Sequence, residues 1–331
     1  MEHVRFGRTG LKVSRLCLGT MTFGFQSDAA TSTAIMDAAA DAGITFFDTA
    51  DAYPLGAPDA SLLGRTEELI GDWMHGRRDR FVLATKCFFP TGPMPWDAGN
   101  SRQNIMRAVE ASLRRLRTDH VDLYQVHSWD PSTPIDETLR ALDDLVHAGK
   151  VRYIGCSNTL AYQLARSIGR SEVLGVSRFD SVQPRYNLLF RENERELFPL
   201  CSEEGVAVIP YNPLAGGLLT GKHRAGSPPT EGTRFTLGSA AGRYQERYWQ
   251  DAMFSTVAGF QQLAEEIGTP MTTLALQWVL ANPAVTAPII GASRPEQLAA
   301  SVAALDAPID RDVKQRLDEL THEYRFGDHP R

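Results

Sequence analysis

Along the chain, a short apolar run, a loop, an amphipathic stretch of ten or more residues and a polar return follow one another repeatedly. Eight apolar runs read as strands: Arg15 to Leu18, Thr45 to Asp48, Phe81 to Lys86, Val121 to His127, Val151 to Cys156, Phe179 to Gln183, Val206 to Pro210 and Ala287 to Gly291. Between them lie helical patterns. From Ser101 to Leu116, the residues Ile105, Ala108, Val109, Leu113 and Leu116 keep three-to-four spacing. Pro134 to Ala148 repeats the device with Ile135, Leu139, Leu142 and Leu145, and stops at Gly149 in a C-cap position. Strands alternating with helices predict parallel pairing through right-handed crossovers. Eight such units predict an α/β chain folded as one (β/α)8 TIM barrel over residues 1–331. No Gly-x-Gly-x-x-Gly follows the first strand, which disfavours a doubly wound dinucleotide fold.

Three segments stand outside the alternation. Val4 to Phe6 and Lys12 to Ser14, around Gly7 to Gly10, predict an N-terminal hairpin that plugs the barrel floor. Residues 212–249, after the seventh strand, far exceed the usual connection of about two to six residues and are either a lid or disorder; we read them as a lid. The tail from Leu305 to Arg331 carries a helical stretch, Val313 to Leu320, and a polar end able to reach the barrel mouth.

Composition narrows the function without naming it. A chain of 331 residues that is 43% hydrophobic can bury a large core. A net charge of -6 and the lack of a long Lys/Arg run argue against a nucleic-acid partner and leave room for a small anionic ligand. Cys17, Cys87, Cys156 and Cys201 are far apart with no Cys-x-x-Cys spacing, which predicts a reducing cytosol and neither disulfide framework nor zinc site. No leader pattern and no apolar run near the roughly 18 residues of a membrane span is visible, so a cytoplasmic protein without a membrane partner is expected, its oligomeric state open.

The chemistry concentrates at strand ends. Thr45 to Asp48 is an apolar run that ends in a carboxylate, and the phenol of Tyr53 follows five residues later. The next two runs end in Lys86 and His127. In a barrel of this kind the active site lies at the C-terminal ends of the strands. A cation about 4 Å from a phenol, at an effective dielectric of 20, contributes on the order of 4 kcal/mol, or about three pKa units. Lys86 is therefore expected to bring Tyr53 toward working pH, Asp48 to keep Lys86 charged, and His127 to orient a carbonyl oxygen. No side chain delivers a hydride, so an electron source is missing.

In this order and spacing, Asp48, Tyr53, Lys86 and His127 resemble the catalytic tetrad of the aldo-keto reductases. The resemblance covers nearly the whole chain, from Phe6-Gly7-Arg8-Thr9-Gly10-Leu11-Lys12-Val13-Ser14 through Gly155-Cys156-Ser157-Asn158 and Tyr211-Asn212-Pro213-Leu214-Ala215-Gly216-Gly217 to Gly291-Ala292-Ser293-Arg294-Pro295-Glu296-Gln297-Leu298. It implies reduction of an aldehyde or ketone, or the reverse reaction, with NADP(H) preferred, NAD(H) open, and no metal. It also implies that Ser157, Asn158 and Gln183 hold the carboxamide and that Tyr211 stacks on the nicotinamide. Gly19, Thr20 and Met21 join Asp48 in the implied cofactor set. Asn212, Pro213, Leu214, Gly216 and Lys222 fall to the pyrophosphate. Gly291, Ser293, Arg294, Gln297 and Arg234 fall to the adenosine end, with Ser293 where the last barrel helix is expected to begin, a position that favours phosphate.

Phe23, Phe88, Trp96 and Trp129, with Met21, are candidates for an apolar substrate pocket; Phe88 and Trp96 equally suit packing of their own loop. Two positions depart from the family pattern: Ala300 and Ser301 stand where many relatives carry Glu-Asn for adenine, and Pro54 follows Tyr53 where Gly is common. Asn212 to Lys222 and Gln245 to Trp249 are similar to aflatoxin-aldehyde-type reductases, which implies aldehydes, with a keto sugar also open. Voltage-gated potassium channel β subunits resemble the same pattern, so a regulatory cofactor-binding subunit is the alternative reading.

Overall fold

The structure is a computed structural model, and it describes residues 1–326. β1 (His3–Arg5) and β2 (Lys12–Ser14) form an antiparallel hairpin. Eight parallel strands follow: β3 (Cys17–Gly19), β4 (Phe46–Asp48), β5 (Val82–Cys87), β6 (Val121–Val126), β7 (Val151–Ser157), β8 (Ser181–Gln183), β9 (Ala207–Val208) and β10 (Ile289–Ile290). Their order is β10-β3-β4-β5-β6-β7-β8-β9, and a bridge between Val208 and Val285 and the Ile289 N–H donating to the Pro210 carbonyl at 2.8 Å close the circle. This is a (β/α)8 barrel.

The closing strands are shorter than the apolar runs that announce them. Pro210 and Pro288 have no N–H to give a ladder, and here they only accept, from Ile289 and from Cys17. β3 begins at Cys17 instead of Arg15 because the Arg15 guanidinium turns out of the sheet to the carbonyls of Leu280, Val285 and Thr286.

Side chains alternate along each strand, so one set fills the barrel and the other faces the helices. Inside, Cys17, Phe46, Ala84, Leu123, Ala207, Ile209, Ala287 and Ile289 pack on Phe6 and Val13 of the hairpin, which plugs the floor. Gly7 makes this docking possible: its φ is +56°, and an added Cβ would lie 2.5 Å from the Gly205 carbonyl oxygen. Outside lie α1 (Ala29–Asp41), α2 (Arg65–Met74), α3 (Arg102–Leu116), α4 (Ile135–His147), α5 (Ala161–Leu174) and α6 (Leu197–Glu204). The apolar faces expected of α3 and α4 are buried, and Ser101 caps α3 by accepting the Asn104 N–H.

The long segment after β9 is an ordered lid. It contains a glycine-bent turn over Ala215–Thr220 and α7 (Ala241–Tyr248), before α8 (Asp251–Glu266) and α9 (Met271–Leu280). Aromatic side chains give it a core of its own: the His223 ring lies 5.0 Å from Phe235 and 5.1 Å from Trp249, edge to face. The lid reaches the loops after β3 and β4, where the Gln26 amide donates to the Gly232 carbonyl and Leu237 packs beside Gly56. α10 (Gln297–Val302) and α11 (Arg311–Leu320) complete the described chain. α11 packs on the outer side, where Trp278 and Arg191 hold Asp318, and Phe326 comes within 6.2 Å of Phe190 on the loop after β8. The polar end expected near the mouth, residues 327–331, lies outside the described residues. Among the described residues, no helix is long and apolar enough to cross a membrane.

His223 makes the lid sensitive to acid. Both ring nitrogens are buried without a hydrogen-bond partner, and burial, then the Lys222 charge, hold its pKa down from 6.5 to about 4. Between those values the opened segment takes up a proton that the folded lid refuses, so lid stability is full above about pH 6.5 and falls toward pH 4. Hydrogen exchange of the lid amides, corrected for intrinsic rates, should therefore rise several-fold between about pH 7 and pH 5, and His223→Phe should flatten the response. Equal corrected exchange at the two pH values would refute this role.

Candidate active site

Strand register brings the strand-end polar groups level with one another. Lys86 on β5 pairs with Gln125 on β6, and Ser157 on β7 pairs with Gln183 on β8. The Lys86 side chain is wholly buried; its ammonium donates to Asp48 Oδ2 at 2.6 Å and to the Thr49 carbonyl at 2.7 Å. Asp48 Oδ1 accepts the Gln183 amide at 2.9 Å and the Gln125 amide at 3.2 Å. A charged pair taken out of water is tolerated only when its remaining bonds are made, and these two amides make them. Gln183, implied to hold a carboxamide, thus spends its N–H on Asp48 and leaves its carbonyl oxygen for other partners.

Tyr53 reaches the same point from the loop after β4. The Asp51 N–H donates to the Lys86 carbonyl, and the Tyr53 carbonyl accepts the Gly64 N–H at the start of α2, so the loop is held at both ends. Lys86 Nζ stands 5.1 Å from the Tyr53 ring centroid, and the His127 ring meets Tyr53 edge to face at 5.8 Å. The expected lowering of the phenol pKa does not occur. Burial, and then the Asp48 carboxylate, push Tyr53 well above its ordinary value; Tyr244 and Tyr211 push the same way and Arg234 opposes them. The Lys86 charge is matched by a carboxylate at 2.6 Å and does not offset burial while the phenol rests protonated.

His127 follows the last residue of β6, its N–H still bonded to the Cys87 carbonyl. Burial, then Lys86 and Arg243, hold its pKa well below 6.5, so the imidazole is neutral, and its Nδ1 is buried without a partner. Asn158, with φ at +51°, donates to the His127 carbonyl at 2.9 Å and accepts the Tyr211 hydroxyl at 2.8 Å. Ser157 donates to the Gln183 carbonyl at 2.8 Å. Asp48, Lys86, His127, Ser157, Asn158, Gln183 and Tyr211 therefore form one connected polar layer across the barrel mouth.

The remaining cofactor candidates ring this layer. Gly19 has no room for a Cβ, which would lie 2.6 Å from Ile289 Cγ2; Thr20 is buried and donates to the Asp48 carbonyl; the Met21 carbonyl accepts the Leu55 N–H. Asn212 sits at φ +58° with a buried, unpartnered Nδ2, followed by buried Pro213 and half-buried Leu214. Gly216 has φ +69°, and at Gly217 an added Cβ would approach Lys222 Nζ to 3.3 Å. Burial, then Arg234 and Arg294, lower the Lys222 pKa, so these three cations stand close together, and among the described residues none has an acidic partner. Gly291 faces open space.

Some expectations change. α10 begins at Gln297, four residues beyond Ser293, because the chain first turns through Pro295; the Gln297 side chain folds back to accept the Ser293 N–H at 2.8 Å. Ala300 and Ser301 lie within α10, where the Ala300 carbonyl accepts the Thr273 hydroxyl and Ser301 is buried. The four aromatics proposed as a pocket do not come together. Phe23 is fully buried in the outer core, its carbonyl bonded by Thr66 of α2. Trp129 turns away once β6 has ended, and lines a small space with Val126, Cys156, Phe179 and Thr138 between β6, β7 and α4. Phe88 stays at the rim against Phe89, and Trp96 is 43% exposed on its loop.

Two neighbours of the site were not anticipated. Phe89 packs 4.8 Å from the His127 ring. Gln125 had a legible signal, since it precedes His127 by two in the same run and so points into the barrel with it.

The Aldo/keto reductase family model matches residues 15–322. The chain belongs to the aldo/keto reductase family. It is 40% identical to the "uncharacterized oxidoreductase YrpG" of Bacillus subtilis, over 97% of this chain and 96% of that protein. It is 35% identical to a "probable voltage-gated potassium channel subunit beta" of Arabidopsis thaliana, over 92% of each, and 34% identical to "protein tas" of Escherichia coli, over 98% and 99%. The polar layer accordingly lies at the mouth of an aldo/keto reductase barrel, and the chain is an oxidoreductase of that family.

Lys86→Met in this aldo/keto reductase should lower unfolding stability by about 3 to 5 kcal/mol, because it strands the Asp48 carboxylate in a dry layer. Adding Asp48→Asn should recover much of the loss, since the amide carries no charge. Urea melts of the two single variants and the double check this; additive losses would mean that the pair is not the coupled unit described.

Proposed function

We propose that this oxidoreductase reduces aldehyde or ketone carbonyls to alcohols with NADPH, with Tyr53 as the proton donor. The observation that carries the reading is the buried Lys86–Asp48 pair beside the rings of Tyr53 and His127 at the mouth of the barrel. The residues around it fit a nicotinamide dinucleotide. Among the described residues, Asn212 Nδ2 and Arg234 Nη1 are buried donors with no protein acceptor and Lys222, Arg234 and Arg294 make no ion pair with an acid, while Gly291 borders open space. When bound, the reduced nicotinamide supplies the hydride.

The chain's own groups do the rest. Tyr53 holds a proton at neutral pH because burial disfavours its phenolate. The neutral His127 carries one N–H, which orients the carbonyl oxygen without placing a second charge beside Lys86. Lys86 uses two of its three N–H bonds on Asp48 and Thr49, and its cation faces the Tyr53 ring that must accept negative charge. Ser157, Asn158 and Gln183 offer the carboxamide contacts, and Tyr211 a stacking face.

Tyr53→Phe should lower kcat for an aldehyde by about 100- to 10,000-fold while cofactor binding, followed by quenching of tryptophan fluorescence, is nearly intact. Retention of more than half of wild-type kcat with a chemistry-limited substrate removes Tyr53 as the acid. Multiple turnovers by the wild type also separate this reading from that of a regulatory subunit, the possibility raised by the similarity to the Arabidopsis protein; a single slow oxidation of bound cofactor would favour the latter.

Arg294 and its neighbours Lys222 and Arg234 support a preference for the 2'-phosphate of NADPH. Arg294→Ala should lower kcat/KM for NADPH by about tenfold or more and leave NADH almost unchanged, as a hydrogen bond to a charged group contributes about 1.5 to 3 kcal/mol. Equal losses with both cofactors, or a wild type that favours NADH, would defeat the preference.

A further inference from the structure

The turn after β9, which carries Asn212, Pro213, Leu214 and Gly216 of the expected pyrophosphate set, is strained. Asn212 sits at φ +58° and Ala215 at +50°, in the left-handed region that costs any residue with a Cβ, and Gly216 and Gly217 follow at +69° and +102°. Such a conformation persists only where its surroundings over-determine it. The Asn212 carbonyl is the fixed point. It accepts the Ala215 N–H at 2.9 Å from within the turn, and the Asn187 side-chain amide, also at 2.9 Å, from the loop after β8.

Asn187 takes this place because the strand ladder stops short of it. Past the ends of β8 and β9 the Tyr211 N–H donates to the Pro184 carbonyl and the Tyr186 N–H to the Tyr211 carbonyl. Pro213 has no N–H to carry the ladder further, and the Asn187 side chain makes the next link instead. Its amide is wholly buried. The oxygen accepts the Leu189 N–H at 2.9 Å, which orients the amide, and Nδ2 donates one hydrogen to Asn212 and the other to the hydroxyl of Tyr248 at 3.1 Å. Tyr248 is the last residue of α7 in the lid and is itself fully buried. The loop that carries Asn187 is anchored behind by Arg191, which makes two bonds to Glu194 and one each to Thr321 Oγ1 and the Asp318 carbonyl. An asparagine that only shaped its own turn would need no more than its bonds to Leu189 and Phe190; here both side-chain N–H bonds leave that turn, one for the strained turn and one for the lid.

We propose that Asn187 is a positioning residue for the dinucleotide: its amide holds the Asn212 turn in the shape that receives the cofactor and fastens that turn to the lid, and so slows cofactor release. This rests on the reading of the turn as part of a nicotinamide-dinucleotide site. Asn187 acts through Asn212 and Tyr248.

The test is the rate of release of bound NADPH, or of NADH if that binds more tightly, followed by cofactor fluorescence as it is chased with an excess of the oxidised form. Asn187→Ala removes both bonds and should speed release by about tenfold; Tyr248→Phe removes the lid bond, keeps the ring, and should speed it by about threefold. Because the lid bond runs through the same amide, the double variant should release no faster than Asn187→Ala alone. Leu142→Ala, which opens a cavity under α4, measures a general loss of stability: it should lower the melting temperature and leave release within about twofold of the wild type. Release unmoved in Asn187→Ala or in Tyr248→Phe, multiplied effects in the double variant, or equal acceleration by Leu142→Ala overturns the role of Asn187 and leaves the dinucleotide reading standing. If Asn187→Ala does not fold, Tyr248→Phe decides by the same criterion. A wild type that binds neither NADPH nor NADH removes the dinucleotide reading, and the proposal with it.

Discussion

The structure depends on one ion pair that water does not reach. Lys86 and Asp48 meet at 2.6 Å with almost no exposure, and each needs the other: either charge alone in that layer would cost several kcal/mol. The pair also fixes its surroundings. Asp48 takes the amides of Gln125 and Gln183, and so links β4 to β6 and β8 across the barrel; Lys86 takes the Thr49 carbonyl, and so sets the start of the loop that carries Tyr53. A barrel interior filled only with aliphatic side chains would be cheaper to desolvate. Here the lower layer is apolar, around Phe46, Ala84 and Leu123, and the polar layer is stacked on it at the end where the strands stop.

Above that layer the lid is an ordered structure, because it carries the aromatic residues to bury. Phe235 and Trp249 pack on His223, Tyr244 meets Phe235, and Leu237 docks on the loop after β4. The lid also carries cations: Lys222 and Arg234 ahead of α7, Arg243 and Arg247 on it. A chain of net charge -6 thus carries a locally basic lid, which the overall balance conceals.

Much of this was legible in the sequence, and the limits have physical causes. The alternation of apolar runs gave the barrel, since eight strands with helical returns have few other ways to bury both faces of the sheet. Asp48 and Lys86 stood out because a charge at the end of an apolar run needs a partner. What failed concerned direction and environment. Trp129 follows His127 by two, yet parity holds only while the strand continues, and β6 ends at Val126. Phe23 lies in a turn whose direction periodicity does not encode. Ser293 precedes a helix start displaced by Pro295, and Gln297 satisfies its N–H from within the chain. The Tyr53 pKa was misjudged because the sequence supplied the cation without the depth of burial or the competing carboxylate.

That last difference bears on how a buried phenol acts as an acid. A raised pKa suits a group that must arrive protonated and gives no help to ionisation before reaction. In the proposed chemistry the balance changes only as negative charge builds on the carbonyl oxygen, whose basicity then rises past that of the phenol. At that moment Tyr53 begins to carry charge of its own, and the cation over its ring, one N–H of which is not spent on Asp48 or Thr49, is already in place. Asp48 stays bonded to Lys86 at 2.6 Å, while the neutral His127 adds no competing cation. Burial therefore sets the resting protonation of Tyr53, and in the proposed chemistry its acid strength would be delivered in the transition state and not beforehand.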